Sequence, residues 1–172
     1  MELFFRSYGS GRPIIILHGI LGISDNWVTF GKKLAEQGYH VIIPDQRNHG
    51  HSPHSQAFNY YALVDDLAEF IDNLGLQNPL LMGHSMGGKV VMRYTLENPD
   101  LVSGVILVDV SLRTYVTHTY HQQLIQTMMD ADLDGSKNRQ DVEKQLEENC
   151  LLYTSDAADD DTIVWGSVGG VG

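Results

Sequence analysis

Four short apolar runs recur along the chain: Ile14–Leu17, His40–Pro44, Pro79–Gly83 and Gly104–Val110. A strand that faces water on one side alternates polar and apolar residues. A continuous apolar run of this length needs cover on both faces. The cover is encoded between the runs. A helix is expected from Ser24 or Asp25, either able to cap it, to about Gln37, with Trp27, Phe30, Leu34 and Ala35 on one stripe and Gly38 closing it. A second should run from Asn59 or Tyr60 to about Leu74, with Leu63, Leu67, Phe70, Ile71 and Leu74 spaced three or four apart. A third should run from Met86 to about Glu97, stopped by Asn98-Pro99. A mixed strand at residues 3–8 and a turn at Gly9–Pro13 precede them. Alternating βα units predict an α/β fold in three layers, a mostly parallel sheet with helices on both faces. No internal repeat competes with that reading.

Charge and composition exclude several classes of function. The 172 residues suit one domain. Twenty-two acidic against 11 basic residues give a net charge of −11, so no surface here neutralises a row of phosphates and no nucleic-acid partner is expected. The apolar runs fall far short of the ~20 residues of a membrane span. Met1-Glu2-Leu3 shows neither a basic start nor a long apolar core, so no signal peptide is expected. The one cysteine, Cys150, forms no internal disulfide. Together these lead to the expectation of a cytoplasmic protein.

Gly83-His84-Ser85-Met86-Gly87 fits the pattern G-x-S-x-G and stands between an expected strand and an expected helix, the context that motif requires. A tight strand-to-helix turn strains the serine and projects its hydroxyl above the sheet, while the flanking glycines remove side chains that would collide. The helix N-terminus then offers free N–H groups to a developing oxyanion. Ser85 is therefore the candidate nucleophile. Acyl transfer needs two backbone N–H groups aimed at the oxyanion. Met86, next after the serine, is placed to supply one. Ile20, in the loop His18-Gly19-Ile20-Leu21-Gly22 after another buried run, is placed to supply the other. His18 reads as a hydrogen-bonding residue at the base of that loop, not as a catalytic base.

A third marker is Asp45-Gln46-Arg47-Asn48-His49-Gly50-His51-Ser52. Asp45 and Arg47 flank a sharp turn and are expected to pair or to bond its backbone. His49, His51 and His54 follow one another in a loop without a cysteine or carboxylate pair, which makes a poor zinc site. No phosphate-binding glycine loop of G-x-G-x-x-G or G-x-x-x-x-G-K type is present. Neither a metal nor an organic cofactor is expected.

LHGILGISDNW, DQRNHGHS, NYYALVDDLAEFID and GHSMGGKVVM, in this order and spacing, resemble the α/β-hydrolase superfamily. More narrowly they resemble its small cytoplasmic acyl-ester esterases with a GHSMGGK elbow, over about residues 3–130. The resemblance implies a serine hydrolase acting on a small-molecule ester or thioester of short to medium acyl groups, with Ser85 as nucleophile and Ile20 and Met86 as oxyanion donors. It also puts Asp109, at the end of the last apolar run, where some members carry the acid that orients the catalytic histidine; other members carry that acid after a later strand. Residues 114–149 would begin the cap over the pocket. Two other readings stay open on the same residues: a lyase or synthase using the serine as a base, and a binding module using only the cleft.

One feature departs from the family pattern. The triad order on this fold is serine, acid, histidine, with the histidine after the last strand. Only His118 and His121 follow Ser85, and both read as cap residues. Two further strands, a helix and the rest of the cap need roughly 80–100 residues more. From Cys150 to Gly172 the sequence is acidic, without Lys, Arg or His, and ends in Gly-Ser-Val-Gly-Gly-Val-Gly. CLLYTSDAAD matches one translated frame of a common sequencing adapter, so 150–172 reads as a non-native or disordered tail. The expectation is an α/β-hydrolase domain incomplete at its C-terminus, without its catalytic histidine and inactive in this form. The run at 104–110 would then be left as an exposed apolar edge, since the tail reads as too polar and glycine-rich to cover it.

Overall fold

Ile14 and Ile16 are buried against Val41, Ile43 and Met82, while Ile15 and Leu17, one step out of phase, are buried against Ile42, Leu81, Val90 and Val91. Both faces of the run are thus covered, as its continuous apolar character requires. The computed structural model describes residues 1–110, 126, 129, 130, 138 and 164–166. The chain divides into two compact units, Met1–Val110 with Thr162–Gly172, and Ser111–Asp161. The first is a three-layer α/β unit. Of the second, Gln126 and Asp130 are joined by a backbone hydrogen bond of 2.9 Å and a side-chain one of 2.8 Å. The expected cap start and both late histidines, His118 and His121, lie outside the described residues, as does the tail apart from the backbone of 164–166.

In chain order the first unit contains β1 (Phe5–Tyr8), β2 (Arg12–Leu17), α1 (Val28–Glu36), β3 (Tyr39–Pro44), α2 (Tyr60–Asn73), β4 (Leu80–His84), α3 (Met86–Glu97), β5 (Gly104–Val108) and β6 (Val164–Gly166). The sheet order is β1-β3-β2-β4-β5-β6. β2, β3, β4 and β5 are parallel, with β1 and β6 antiparallel at the two edges. α1, with Trp27 just before it, packs on one face through Trp27, Leu34 and Ala35 beside the Ile14 and Ile16 cluster. α2 and α3 pack on the other through Leu63, Leu67, Phe70, Val90 and Tyr94. The helices after β2 and β4 therefore leave the sheet on opposite faces. Open α/β sheets bind ligands at the carboxyl ends of neighbouring strands whose helices diverge in this way. Among the described residues no helix is long and apolar enough to cross a membrane.

Four local differences from the sequence reading have physical causes. β2 begins at Arg12 rather than Ile14. Pairing to β4 starts only at Ile14↔Leu80, so the missing N–H of Pro13 falls before that ladder and is tolerated. The first helix is split: a 3-10 turn at Ser24–Trp27 leads into α1. Neither Ser24 nor Asp25 caps it. Asn26 instead accepts from the Ile23 N–H at 2.8 Å, and the Ser24 N–H is taken by Asp45 at 2.6 Å. β5 stops at Val108, because Asp109 turns into the left-handed region at φ 47°. Finally, β5 is not left bare: Val164–Gly166 pairs antiparallel with Val105–Leu107 along its outer edge. Val164 and Trp165 are good strand formers amid the polar, glycine-rich residues of this segment.

The loop between β3 and α2 is anchored by charge. Of the two alternatives the sequence offered, Arg47 does not pair with Asp45 but does bond backbone. It forms a two-pronged pair with Asp66 on α2, Nε to Oδ2 at 2.5 Å and Nη2 to Oδ1 at 2.7 Å, and a third bond to the Ala57 carbonyl at 2.7 Å. The side chains are only 10% and 4% exposed. Removing one member of such a pair strands the other charge out of water. Asp66→Ala should lower the unfolding free energy by about 3–5 kcal/mol in a urea titration. A loss below about 1 kcal/mol would show that the pair does not anchor the loop.

Candidate active site

The turn from β4 into α3 is built by three glycines. A Cβ added at Gly83 would overlap the backbone of Gly87 and Gly88. At Gly87 it would sit 2.6 Å from the Leu17 carbonyl oxygen and 2.7 Å from that of His18, and at Gly88 it would press on Val110. The first turn of α3 is thereby drawn against the ends of β2 and β4. Ser85 joins them at φ 48°, ψ −111°, a backbone state that costs a non-glycine residue about 1–3 kcal/mol. Its N–H donates to the Val108 carbonyl at 3.0 Å, and its carbonyl accepts from the Lys89 N–H at 3.2 Å. The strained residue is thus tied to β5 on one side and to α3 on the other. Met86 follows as the first residue of α3, where helix geometry leaves N–H groups without partners inside the helix.

The loop after β2 lies directly against this turn. A Cβ on Gly19 would come 3.4 Å from the Ser85 Cβ and 2.9 Å from His84 Nδ1. The loop that carries Ile20 therefore meets the elbow from the β2 side, and Met86 follows Ser85 from the α3 side. The loop's shape is set by the buried His18. Its Nε2 accepts from the Gln46 N–H at 3.0 Å, so the ring proton sits on Nδ1 and donates to the Gly19 carbonyl at 2.8 Å. Burial holds the His18 pKa below that of an ordinary imidazole, so the ring is neutral near pH 7 and does not act as a charged group. Gln46 adds a bond from Nε2 to the His18 carbonyl at 2.7 Å.

Asp45 organises the neighbouring turn through backbone, as one of the two sequence alternatives held. It accepts from the Ser24 N–H at 2.6 Å and the His51 N–H at 2.9 Å. Burial pushes its pKa upward, but these N–H donors outweigh it and hold the carboxyl below the usual range. Gly50 approaches so closely that a Cβ there would overlap the carboxylate. The loop histidines are engaged separately. His49 reaches the carbonyls of Ile20 and Arg47, while His51 stacks edge-on against Phe4 at 4.8 Å. Among the described residues no three His, Cys, Asp or Glu converge as metal ligands.

β5 runs parallel to and beside β4, with His84 opposite Val108, so Asp109 leaves the sheet at the same edge as Ser85. Its carboxylate is 79% exposed and lies 3.6 Å from His84 Nε2. The structure thus places Ser85, Met86, the Ile20 loop and Asp109 at one edge of the sheet. It also adds two residues that sequence reasoning missed. His84 fills the variable position of G-x-S-x-G, faces Asp109 and packs beside Trp27 at 6.1 Å between ring centres. His49 touches the Ile20 loop from a segment 29 residues away, a contact that no local pattern announces.

Comparison with known proteins gives a consistent picture. Residues 12–146 match the protein family described as alpha/beta hydrolase fold. The chain is 36% identical over 147 residues to sn-1-specific diacylglycerol lipase ABHD11 of Danio rerio, covering 83% of this chain and 46% of that protein. It is 37% identical over 126 residues to ethanol acetyltransferase 1 of Cyberlindnera fabianii, covering 72% of this chain and 37% of the other. Among solved structures, a marine microorganism esterase superposes with a TM-score of 0.79 at 39% identity, over 87% of this chain and 59% of that one. The chain spans about half the length of the diacylglycerol lipases it matches.

The neutral, buried His18 makes stability depend on pH. The unfolded chain takes up a proton as pH falls through ~6.5, whereas the folded one resists, so stability is complete above that value and declines below it. Between pH 6.5 and 5 the unfolding free energy should fall with acidity. In His18→Gln that slope should shrink by up to about 1.4 kcal/mol per pH unit. An unchanged slope would contradict the assignment.

Proposed function

Since the chain belongs to the α/β-hydrolase fold family, we propose that it carries the nucleophile half of an ester-cleaving site. Ser85 attacks the carbonyl carbon of a small acyl ester or thioester, of short to medium acyl length. The backbone N–H groups of Ile20 and Met86 receive the negative charge that develops on the carbonyl oxygen. Collapse of the tetrahedral intermediate expels the alcohol or thiol and leaves an acyl group on Ser85, which water then removes. The observation that supports this reading is the strained Ser85 at φ 48° on a strand-to-helix turn, with the Gly19 loop against its side chain. Diacylglycerol lipase and ethanol acetyltransferase, the names of two matched relatives, both denote chemistry at an acyl carbonyl.

Attack also needs a base for the Ser85 proton. His84 is directed to Asp109 from the elbow itself, and His18 has both ring nitrogens engaged, Nε2 by the Gln46 N–H and Nδ1 by the Gly19 carbonyl, so neither takes this role. In our reading the base is a histidine outside residues 1–172, oriented by Asp109. The exposed carboxylate of Asp109 on the Ser85 edge of the sheet suits that task. Without that base Ser85 remains a protonated alcohol, and residues 1–172 alone do not turn over esters.

Kinetics on the full-length gene product with p-nitrophenyl butyrate test this. Ser85→Ala should lower kcat by several orders of magnitude, and Asp109→Asn by about 10⁴-fold, as loss of a triad acid does elsewhere. Near-normal turnover by folded Ser85→Ala would remove the nucleophile reading. Near-normal turnover by Asp109→Asn would move the acid to a later strand. Multiple turnovers by residues 1–172 alone would return His118 or His121 as the base.

A further inference from the structure

We propose that His49 is a positioning residue for this site: its imidazole holds the Ile20 carbonyl and so fixes the peptide units that form the oxyanion pocket. The inference rests on the ester-cleaving reading above and concerns a residue to which that reading gives no role.

Ile20 is poorly held by packing. Its side chain is 42% exposed and that of Leu21 65%, with glycines at 19 and 22 on either side. Exposed residues flanked by glycine rotate freely unless hydrogen bonds stop them. On the N-terminal side the bonds are supplied by the Gly19 carbonyl, which accepts from His18 Nδ1 at 2.8 Å and from the Gly22 N–H at 3.0 Å. The peptide is planar and trans, so this directs the Ile20 N–H the opposite way. On the C-terminal side the Ile20 carbonyl has one donor among the described residues, His49 Nε2 at 2.5 Å. Without it the Ile20–Leu21 peptide is free to flip. A flip there turns the backbone torsion beside the Ile20 N–H and loosens the donor that has to receive the oxyanion.

His49 is itself well placed to act as a strut. Its Nδ1 faces the Arg47 carbonyl at 2.9 Å. Arg47 is fixed in turn by Asp66 and Ala57. The ring lies between His18 and Phe58, at 5.0 and 5.9 Å between centres. A chain of contacts thus runs from Asp66 on α2 through Arg47 and His49 to Ile20. Both ring nitrogens of His49 face carbonyl oxygens, and a neutral imidazole donates from only one; the proposal puts that proton on Nε2, toward Ile20.

Glutamine places its amide nitrogen about where Nε2 sits, and asparagine about where Nδ1 sits. His49→Gln therefore keeps a donor toward Ile20, and His49→Asn keeps only the contact toward Arg47. In the full-length enzyme, His49→Gln should retain kcat for p-nitrophenyl butyrate within about threefold. His49→Asn should lose about 10- to 100-fold in kcat with KM changed less than threefold, short of the 10²–10³ that follows removal of an oxyanion donor. Equal activity in the two variants, or a loss confined to KM, would overturn the proposal. Ser85→Ala measured alongside separates the causes: if it stays active, the ester-cleaving reading fails and this inference falls with it. If His49→Asn does not fold, wild type decides through the ring nitrogens of His49 in a two-bond ¹H–¹⁵N spectrum. A protonated Nε2 is expected, and an unprotonated one would overturn the assignment.

Discussion

The contact on which the rest of this structure depends is backbone against backbone, where the first turn of α3 meets the ends of β2 and β4. Gly83, Gly87 and Gly88 leave no room for a Cβ there. Because the helix begins that close to the sheet, the one residue between strand and helix has to turn through an angle that side chains disfavour, and that residue is Ser85. The cost of about 1–3 kcal/mol is offset by burial of Val90, Val91 and Tyr94 along the same helix. The strain at Ser85 and its place between strand and helix follow from one cause, the close approach of α3. A larger residue at any of the three positions would relax the turn and lose both.

A second constraint acts through hydrogen bonds. The loop after β2 has little apolar packing of its own, and its geometry is imposed by polar groups from the β3 side. Asp45, Gln46 and His49 engage the backbone at Ser24, His18 and Ile20, and His18 itself holds the Gly19 carbonyl. Three of the four are buried, and polar groups taken out of water need partners, which the loop backbone provides. The neutral state of His18 matters here. Only the form with its proton on Nδ1 both accepts from the Gln46 N–H and donates to Gly19. The β3–α2 loop thus serves as scaffold for the β2 loop, and the Arg47–Asp66 pair fastens that scaffold to α2.

Much of this was legible in the sequence because it depends on local signals. Continuous apolar runs require two covered faces, and the cores on both sides of β2 meet that requirement. Asn59 caps α2 through the Ala62 N–H, as its residue type suggests. The elbow was legible because its glycines and serine fall within six successive residues, 83–88. What was not legible depends on partners far apart in the chain. Arg47 had a nearer acid, Asp45, but Asp45 is occupied by backbone donors and α2 presents Asp66 instead. The three loop histidines read as a cluster, yet His49 turns toward Ile20 and His51 toward Phe4. The strand at Val164–Gly166 lies in a segment whose composition suggested no fold, and three paired residues suffice to continue the sheet edge.

The central claim is that this elbow makes Ser85 a nucleophile toward acyl carbonyl groups. A serine used only as a base, or a cleft used only for binding, forms no covalent adduct with an acyl-like electrophile. The most direct measurement is peptide mapping by mass spectrometry after treating the full-length gene product with a fluorophosphonate. The account predicts one stoichiometric phosphonyl adduct on Ser85, in the peptide containing Gly83-His84-Ser85-Met86-Gly87. A folded protein that stays unlabelled, or that carries the adduct on another residue, would contradict it.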